Sequence, residues 1–281
     1  NDNMDGERER AEFENLLQNL MSPENDSRTQ AEEVYDGLPF QTRTTFLIQA
    51  MKNSITPVEV RVMAAVLFRR LLSSTFEELW PSLPPELQAE VKVQLLVMIQ
   101  AEQNGVMRRR MCDCASEFAR NMIDEDGNNL WPEVLKFLFD CVGSADAGLK
   151  ESALIIFAAV PGIFGAQQAE HINVIKEMLM SALNDQQNPP VRQSAAKAIS
   201  SFLLANDKET NIQNLFKDML PGLLRTIVES VEAQEDDALL KCLIEMAETI
   251  PKYLRPQVET ILQLSLKNIA DTNLPDQWRQ L

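Results

Sequence analysis

The chain has 281 residues, 45% of them hydrophobic and 24% charged, with a formal net charge of −16. That balance is globular, with apolar material enough for a sizeable core, and it excludes a disordered acidic tail. So large an acid excess also argues against nucleic-acid binding, which rests on a basic surface, and marks basic proteins as fitting partners.

The opening NDNMDGERER is polar and acidic where a secretory signal needs a basic start and an apolar middle. A reducing compartment follows, with free thiols expected at Cys112, Cys114, Cys141 and Cys242. Apolar residues then recur at helical rather than alternating spacing, and Gly is scarce at 9 residues, so the chain is predicted to be all-α. First helices are expected over 8–20, 40–53, 84–102, 130–142, 166–183, 211–231 and 255–269. Each is followed by a second helix carrying a basic residue at a fixed place: Arg28, Arg61, Arg108, Lys150, Arg192, Lys241 and Arg279. These recur about every 42 residues, the length of a two-helix repeat.

Relative to the basic residue, positions −1, +3, +6 and +10 share one helix face, and in the six complete repeats all are apolar except Ser27 and Pro251. Thr56-Pro57-Val58-Glu59 has the form of an N-cap with a capping box, and Asn188-Pro189 repeats the cap-then-proline device. The longest apolar stretch without charge, 152–165, is interrupted by Pro161 and is shorter than the ~20 residues of a membrane helix. The expected fold is therefore an α-solenoid of about six to seven HEAT repeats, each an antiparallel helix pair, in one continuous array over 1–281. The basic residues should form a ladder at the rim of the buried face, paired with acids such as Asp26, Glu59, Asp146 or Asp236.

Chemistry-bearing patterns are few. IDEDGNN places Gly127 fourth from Asp124, whereas a calcium loop needs glycine sixth, so a polar loop leading into Trp131-Pro132-Glu133 is expected and no metal site. Cys112 and Cys114 point about 200° apart on a helix, which disfavours zinc and makes Cys114 a small core residue. His171 is the only histidine, and neither an oriented nucleophile nor a Gly-rich phosphate loop accompanies it. No enzyme activity and no cofactor are expected. The polar side of the second helices offers Glu33, Asp36, Arg69, Arg109, Asp113 and Arg120 as a candidate binding face.

SRTQAEEVYDGLP with EVRVMAAVLFRRLLSS, residues 27–73 above all, resembles the N-terminal segment of importin-β family nuclear transport receptors. ARNMIDEDGNNLWPE, ESALIIFAAVPGIFG, DMLPGLL and PKYLRPQ are similar to stretches of the same family, so the likeness runs through nearly the whole chain. Family members continue for many more repeats, which makes this sequence look like an N-terminal piece. The resemblance implies a monomeric receptor that shuttles between cytoplasm and nucleus. It would grip Ran-GTP through its N-terminal inner helices, carry basic cargo with nuclear localisation signals, and touch Phe-Gly nucleoporins through an apolar cleft between first helices. Leu179, Phe216 and Leu220 are the candidates for that cleft, and the charged residues named above are those for Ran. A scaffold of phosphatase or coat-adaptor type would share the repeats but lack the importin-like opening.

Overall fold

A computed structural model describes residues 2–257, with 259, 261–263 and 266 beyond them. The seventh ladder position, Arg279, lies outside the described residues, as does much of the segment expected over 255–269. Among the described residues the chain is helical, apart from one isolated bridge between Ile123 and Asn129. The helices gather into two compact units, residues 1–122 and 123–281.

The first unit holds three helix pairs: α1 (Asp2–Leu20) with α2 (Asn25–Asp36), α3 (Phe40–Lys52) with α4 (Val58–Ser74), and α6 (Pro85–Ala101) with α7 (Gly105–Asn121). The ladder residue stands in the second helix of each, as the periodicity requires. On α4 the face built from Val60, Ala64, Leu67 and Leu71 is buried, and so is that of Met107, Met111, Cys114 and Phe118 on α7. The small pair Ala64-Ala65 lets α7 come close: Cys114 is fully buried, with its Sγ 3.3 Å from the Ala65 carbonyl. Burial pushes the Cys114 thiol well up, as befits a packing residue rather than a reactive one. A short helix the sequence did not announce, α5 (Phe76–Ser82), joins the second and third pairs. Its Phe76 and Trp80 stack on each other at 5.6 Å and meet Phe118 edge-on at 6.1 and 5.1 Å, which anchors it despite Pro81.

The second unit contains α8 (Glu133–Val142), α9 (Ala147–Ala159), α10 (Gln168–Leu183), α11 (Pro189–Ala205), α12 (Thr210–Leu215), α13 (Leu220–Glu232), α14 (Ala238–Thr249) and α15 (Pro251–Leu254). The single helix expected over 211–231 is broken into α12, a 3-10 turn at Lys217–Met219 and α13. Pro221, which has no N–H to donate, stands in the first turn of α13 and favours a restart there. Likewise α8 begins at Glu133 rather than 130, behind Pro132 at its N-cap.

Two loops of this unit lock together. The Ala166 N–H donates to the Gly127 carbonyl at 2.8 Å, and the Asn129 side-chain amide donates to the Ile163 carbonyl at 2.7 Å. Gly127 and Gly165 have φ of +81° and +55°, and a Cβ on Gly165 would lie 2.0 Å from the Gly127 oxygen, so glycine is required there on both counts. The IDEDGNN and VPGIFG stretches are thus the two halves of one contact. Within the first, the Asp124 carboxylate accepts from the Asn128 N–H at 2.8 Å, the Asp126 N–H at 3.0 Å and the Asn128 side-chain amide at 3.2 Å. Those bonds, the Asn128 N–H foremost, hold its carboxyl below the usual range. Its oxygens are used up by its own turn.

The ladder is real, but its partners differ from those expected. Arg61, 3% exposed, donates to the Met51 carbonyl at 3.0 and 2.7 Å and to the Glu102 carboxylate. Glu102 then receives the next ladder residue on its own carbonyl, from Arg108 at 3.0 Å. The second unit repeats the plan: Asp185 takes Lys150 on its carboxylate at 3.3 Å and Arg192 on its carbonyl at 2.7 Å. Each acid ends a first helix or follows it by a residue or two, where orphan carbonyls and the negative helix end attract a cation. Asp146 instead caps α9, accepting from the Gly148 and Leu149 N–H groups at 2.8 and 3.2 Å, and Asp236 accepts from the Ala238 N–H at 3.0 Å. No ladder base pairs with Asp26 or Glu59 among the described residues.

Two expected caps are also reassigned. The Thr56 hydroxyl donates to Glu14 at 2.7 Å and leaves Pro57 at the N-cap of α4. Asn188 is the N-cap of α11, but its amide serves Asp185 at 3.1 and 3.2 Å.

Candidate partner-binding face

Helices α2, α4 and α7, the second helices of the first unit, carry the charged residues singled out from the sequence. The polar side of α4 lies between two cavities. One, about 320 Å³, opens between α4 and α7 and is lined by Arg69, Arg70, Arg110, Asp113 and Glu117. Arg69 lies 4.0 Å from Asp113 and 3.7 Å from Glu117, while Arg120 pairs with Glu117 at 2.9 Å. The two Arg69 pairs are loose, and the arginines are half-exposed, Arg69 at 50% and Arg120 at 47%, while Asp113 is 35% and Glu117 15% exposed. Partial burial raises the Asp113 carboxyl above the usual range, with Arg69 and Arg110 pulling it back down.

The other cavity, about 490 Å³, opens between α2 and α4 and is lined by Glu32, Tyr35, Asp36, Arg43 and Arg70. Burial pushes the Tyr35 hydroxyl up to about 12, against the opposing charge of Arg43. The Arg43 guanidinium lies over the Tyr35 and Phe40 rings, 5.3 and 4.8 Å from their centroids. Arg70 and Val66 border both cavities, so the two form one strip along α4.

Of the six expected residues, the structure brings Arg69, Asp113 and Arg120 together and sets Asp36 in the neighbouring cavity. Glu33 and Arg109 are exposed and line neither cavity. Glu32, Arg70, Arg110 and Glu117 were missed, although their spacing carried a signal. Glu32 and Asp36 are four apart, and Arg110, Asp113 and Glu117 follow at i, i+3 and i+7, so each set shares a helix face. Glu33 is turned about 100° away from Glu32.

The second expected site fails on burial. Leu179 and Phe216 are 0% exposed and Leu220 is 1% exposed. The Phe216 ring packs 5.4 Å from that of Phe202, and its carbonyl accepts from the Tyr253 hydroxyl at 2.7 Å. These three side chains form the core of the second unit and present no cleft to an incoming phenylalanine. His171 packs too, with its ring 5.7 Å from that of Phe164. The four cysteines are free thiols. Among the described residues no three potential metal ligands converge, and no helix is long and apolar enough to cross a membrane.

Residues 103–264, more than half of the chain, match the family described as IPO5-like, TPR repeats. The chain belongs to the importin-5-like family. It is 23% identical to a probable importin-5 homolog of Dictyostelium discoideum, over 94% of this chain and 25% of that protein. It is 24% identical to importin subunit beta-3 of Saccharomyces cerevisiae, over 92% of this chain and 24% of that one. Kap121p, solved as a crystal structure, superposes with a TM-score of 0.75 at 24% identity, covering 97% of this chain and 26% of that chain. The same protein has been solved bound to RanGTP (TM-score 0.75, 22% identity, 97% and 25% coverage) and bound to Nup53p (0.74, 23%, 97% and 26%). This importin-5-like chain thus spans about a quarter of the length of the relatives it matches. The structural likeness places its fold in the HEAT-repeat α-solenoid class. A ladder period of about 42 residues suits HEAT pairs better than the 34 of a TPR.

Proposed function

We propose that the chain is part of a nuclear import receptor and that the α2–α4–α7 strip binds Ran in its GTP form. The observation that carries this reading is the strip itself: charges of both signs, with Arg69 half-exposed and only loosely paired at 3.7 and 4.0 Å, on α2 and α4, where the importin-like segment falls, and on the α7 that packs beside α4. Such pairs cost little to open, because exposed ion pairs contribute about 0–1 kcal/mol, so a partner's charges can replace them. Kap121p has been solved with RanGTP, which supports the same choice of partner.

Basic cargo, with nuclear localisation signals, suits a chain of net charge −16. Weak contacts with Phe-Gly nucleoporins would carry the loaded receptor through the pore, by surfaces other than Leu179, Phe216 and Leu220. Cargo binds in the cytoplasm and Ran-GTP displaces it in the nucleus, each ligand favouring its own arrangement of the repeats. No catalytic step is needed, and the receptor shuttles as a monomer. A phosphatase or coat-adaptor scaffold would give the repeats without the match to the importin-5-like family.

Calorimetric titration of the chain with Ran loaded alternately with GTP and GDP tests the reading. Tighter binding of the GTP form is expected. Equal affinities would remove the basis for it.

A further inference from the structure

A groove of about 530 Å³ lies between α1, the end of α2 and α3, and shares no lining residue with the two charged cavities. Its apolar side is made by Leu16, Val34, Leu38 and Phe46, backed by the stacking of Phe46 on Phe13 at 5.4 Å. Val34 is 56% exposed, although it occupies a ladder-face position that Leu67, Cys114, Ile156 and Ala198 fill as buried residues in the next four repeats. The lining also includes Glu9 and Glu12, both exposed, and no lysine or arginine. Glu14, by contrast, is held by Asn53 and Thr56.

We propose that this groove binds a short extended peptide whose one bulky apolar side chain is flanked by lysines or arginines. The apolar side takes the anchor, since burying one leucine-sized group is the term that localises a short peptide. Glu9 and Glu12 face its basic flanks across the rim. Of these, Glu12 is shared with Arg8 through an exposed pair at 3.2 Å, which a ligand cation can replace. Asn15 and Asn19, also in the lining, are four residues apart on α1. Their separation along the helix, about 6 Å, is close to the ~6.7 Å between alternate residues of an extended strand, so both amides can bond one edge of the peptide backbone. An uncharged apolar peptide would use only part of this site, and an acidic one would be repelled by it. The inference concerns a surface separate from the strip proposed for Ran and stands or falls without it.

The test is a fluorescence-anisotropy titration of the 281-residue chain with a labelled nonapeptide bearing one central leucine between paired lysines. Saturable binding is expected. It should weaken about tenfold when the leucine is replaced by alanine or the lysines by serine, and should fall with rising salt. The double variant Glu9→Lys, Glu12→Lys should lose at least tenfold. So should Val34→Ser, which removes apolar wall without adding charge at an exposed site, with a thermal midpoint matching the parent's as the folding control. Equal binding of the lysine and serine peptides would mean an apolar cleft without charge selection and would overturn the proposal. It would equally be overturned by no saturation at millimolar peptide, by unaltered binding to both variants, or by concentration-dependent dimerisation that Val34→Ser weakens.

Discussion

Helix α4 answers at its two ends to different demands. Near its start, Arg61 is 3% exposed, clamped by the Met51 carbonyl and paired with a Glu102 side chain that is 8% exposed. Eight residues later, Arg69 is 50% exposed and its acids stand 3.7 and 4.0 Å away. The residue type is the same; burial decides the role. An arginine closed into a joint cannot be lent to a partner without stranding its acid, whereas one on the rim can exchange one carboxylate for another.

Removing the buried member should have the largest effect. Arg61→Ala leaves Glu102 charged and nearly enclosed, and should cost about 3–5 kcal/mol in denaturant unfolding. Arg61→Lys should recover only part of this, because an ammonium cannot reach the carbonyl and the carboxylate with a planar fork. An alanine variant as stable as the parent would erase the distinction between the two ends of α4.

The joint at Asp185 sharpens the comparison, being the same device with local support. Burial by itself would raise the Asp185 carboxyl. Hydrogen bonds from the Asn188 side chain, the Gln187 N–H and Lys150 outweigh it and hold the carboxyl below the usual range. A depressed folded value means stability that is present above the unfolded value, about 4, and lost as pH falls through the lower folded one. Asp185→Asn should therefore cost about 1–2 kcal/mol at neutral pH, and the gap from the parent should close as the pH is lowered below about 4. A gap that stays constant down to about pH 2 would show that the charge is not what matters. Lys150→Ala should cost less, under about 1 kcal/mol, because Lys150 is 24% exposed and Asn188 and Gln187 remain on the carboxylate.

The repeats were legible because a buried helix face imposes a period on the sequence. All of the −1, +3, +6 and +10 positions around Arg61, Arg108, Lys150 and Arg192 are buried except Leu149, which is half-buried. The ladder's acids were not, since Glu102 and Asp185 sit in turns, where no period constrains them and only the fold brings them to a base. The break in 211–231 was marked by Pro221 but hidden by the continuous apolar spacing around it. For the candidate binding face, Arg69, Asp113 and Arg120 come together because polar residues at helical spacing share a helix side. The choice of Leu179, Phe216 and Leu220 failed because apolar spacing alone does not distinguish a cleft from a core.

At the exposed end of α4 the smallest stability effect should accompany the clearest functional one. Arg69→Glu with Arg70→Glu should shift unfolding by no more than about 1 kcal/mol. Calorimetric titration of this double variant and of the parent with Ran-GTP and Ran-GDP is the most direct measurement. The expected result is a preference for the GTP form in the parent that the variant loses while remaining folded. A parent without that preference, or a variant that keeps it in full, would contradict the assignment of the α2–α4–α7 strip to Ran.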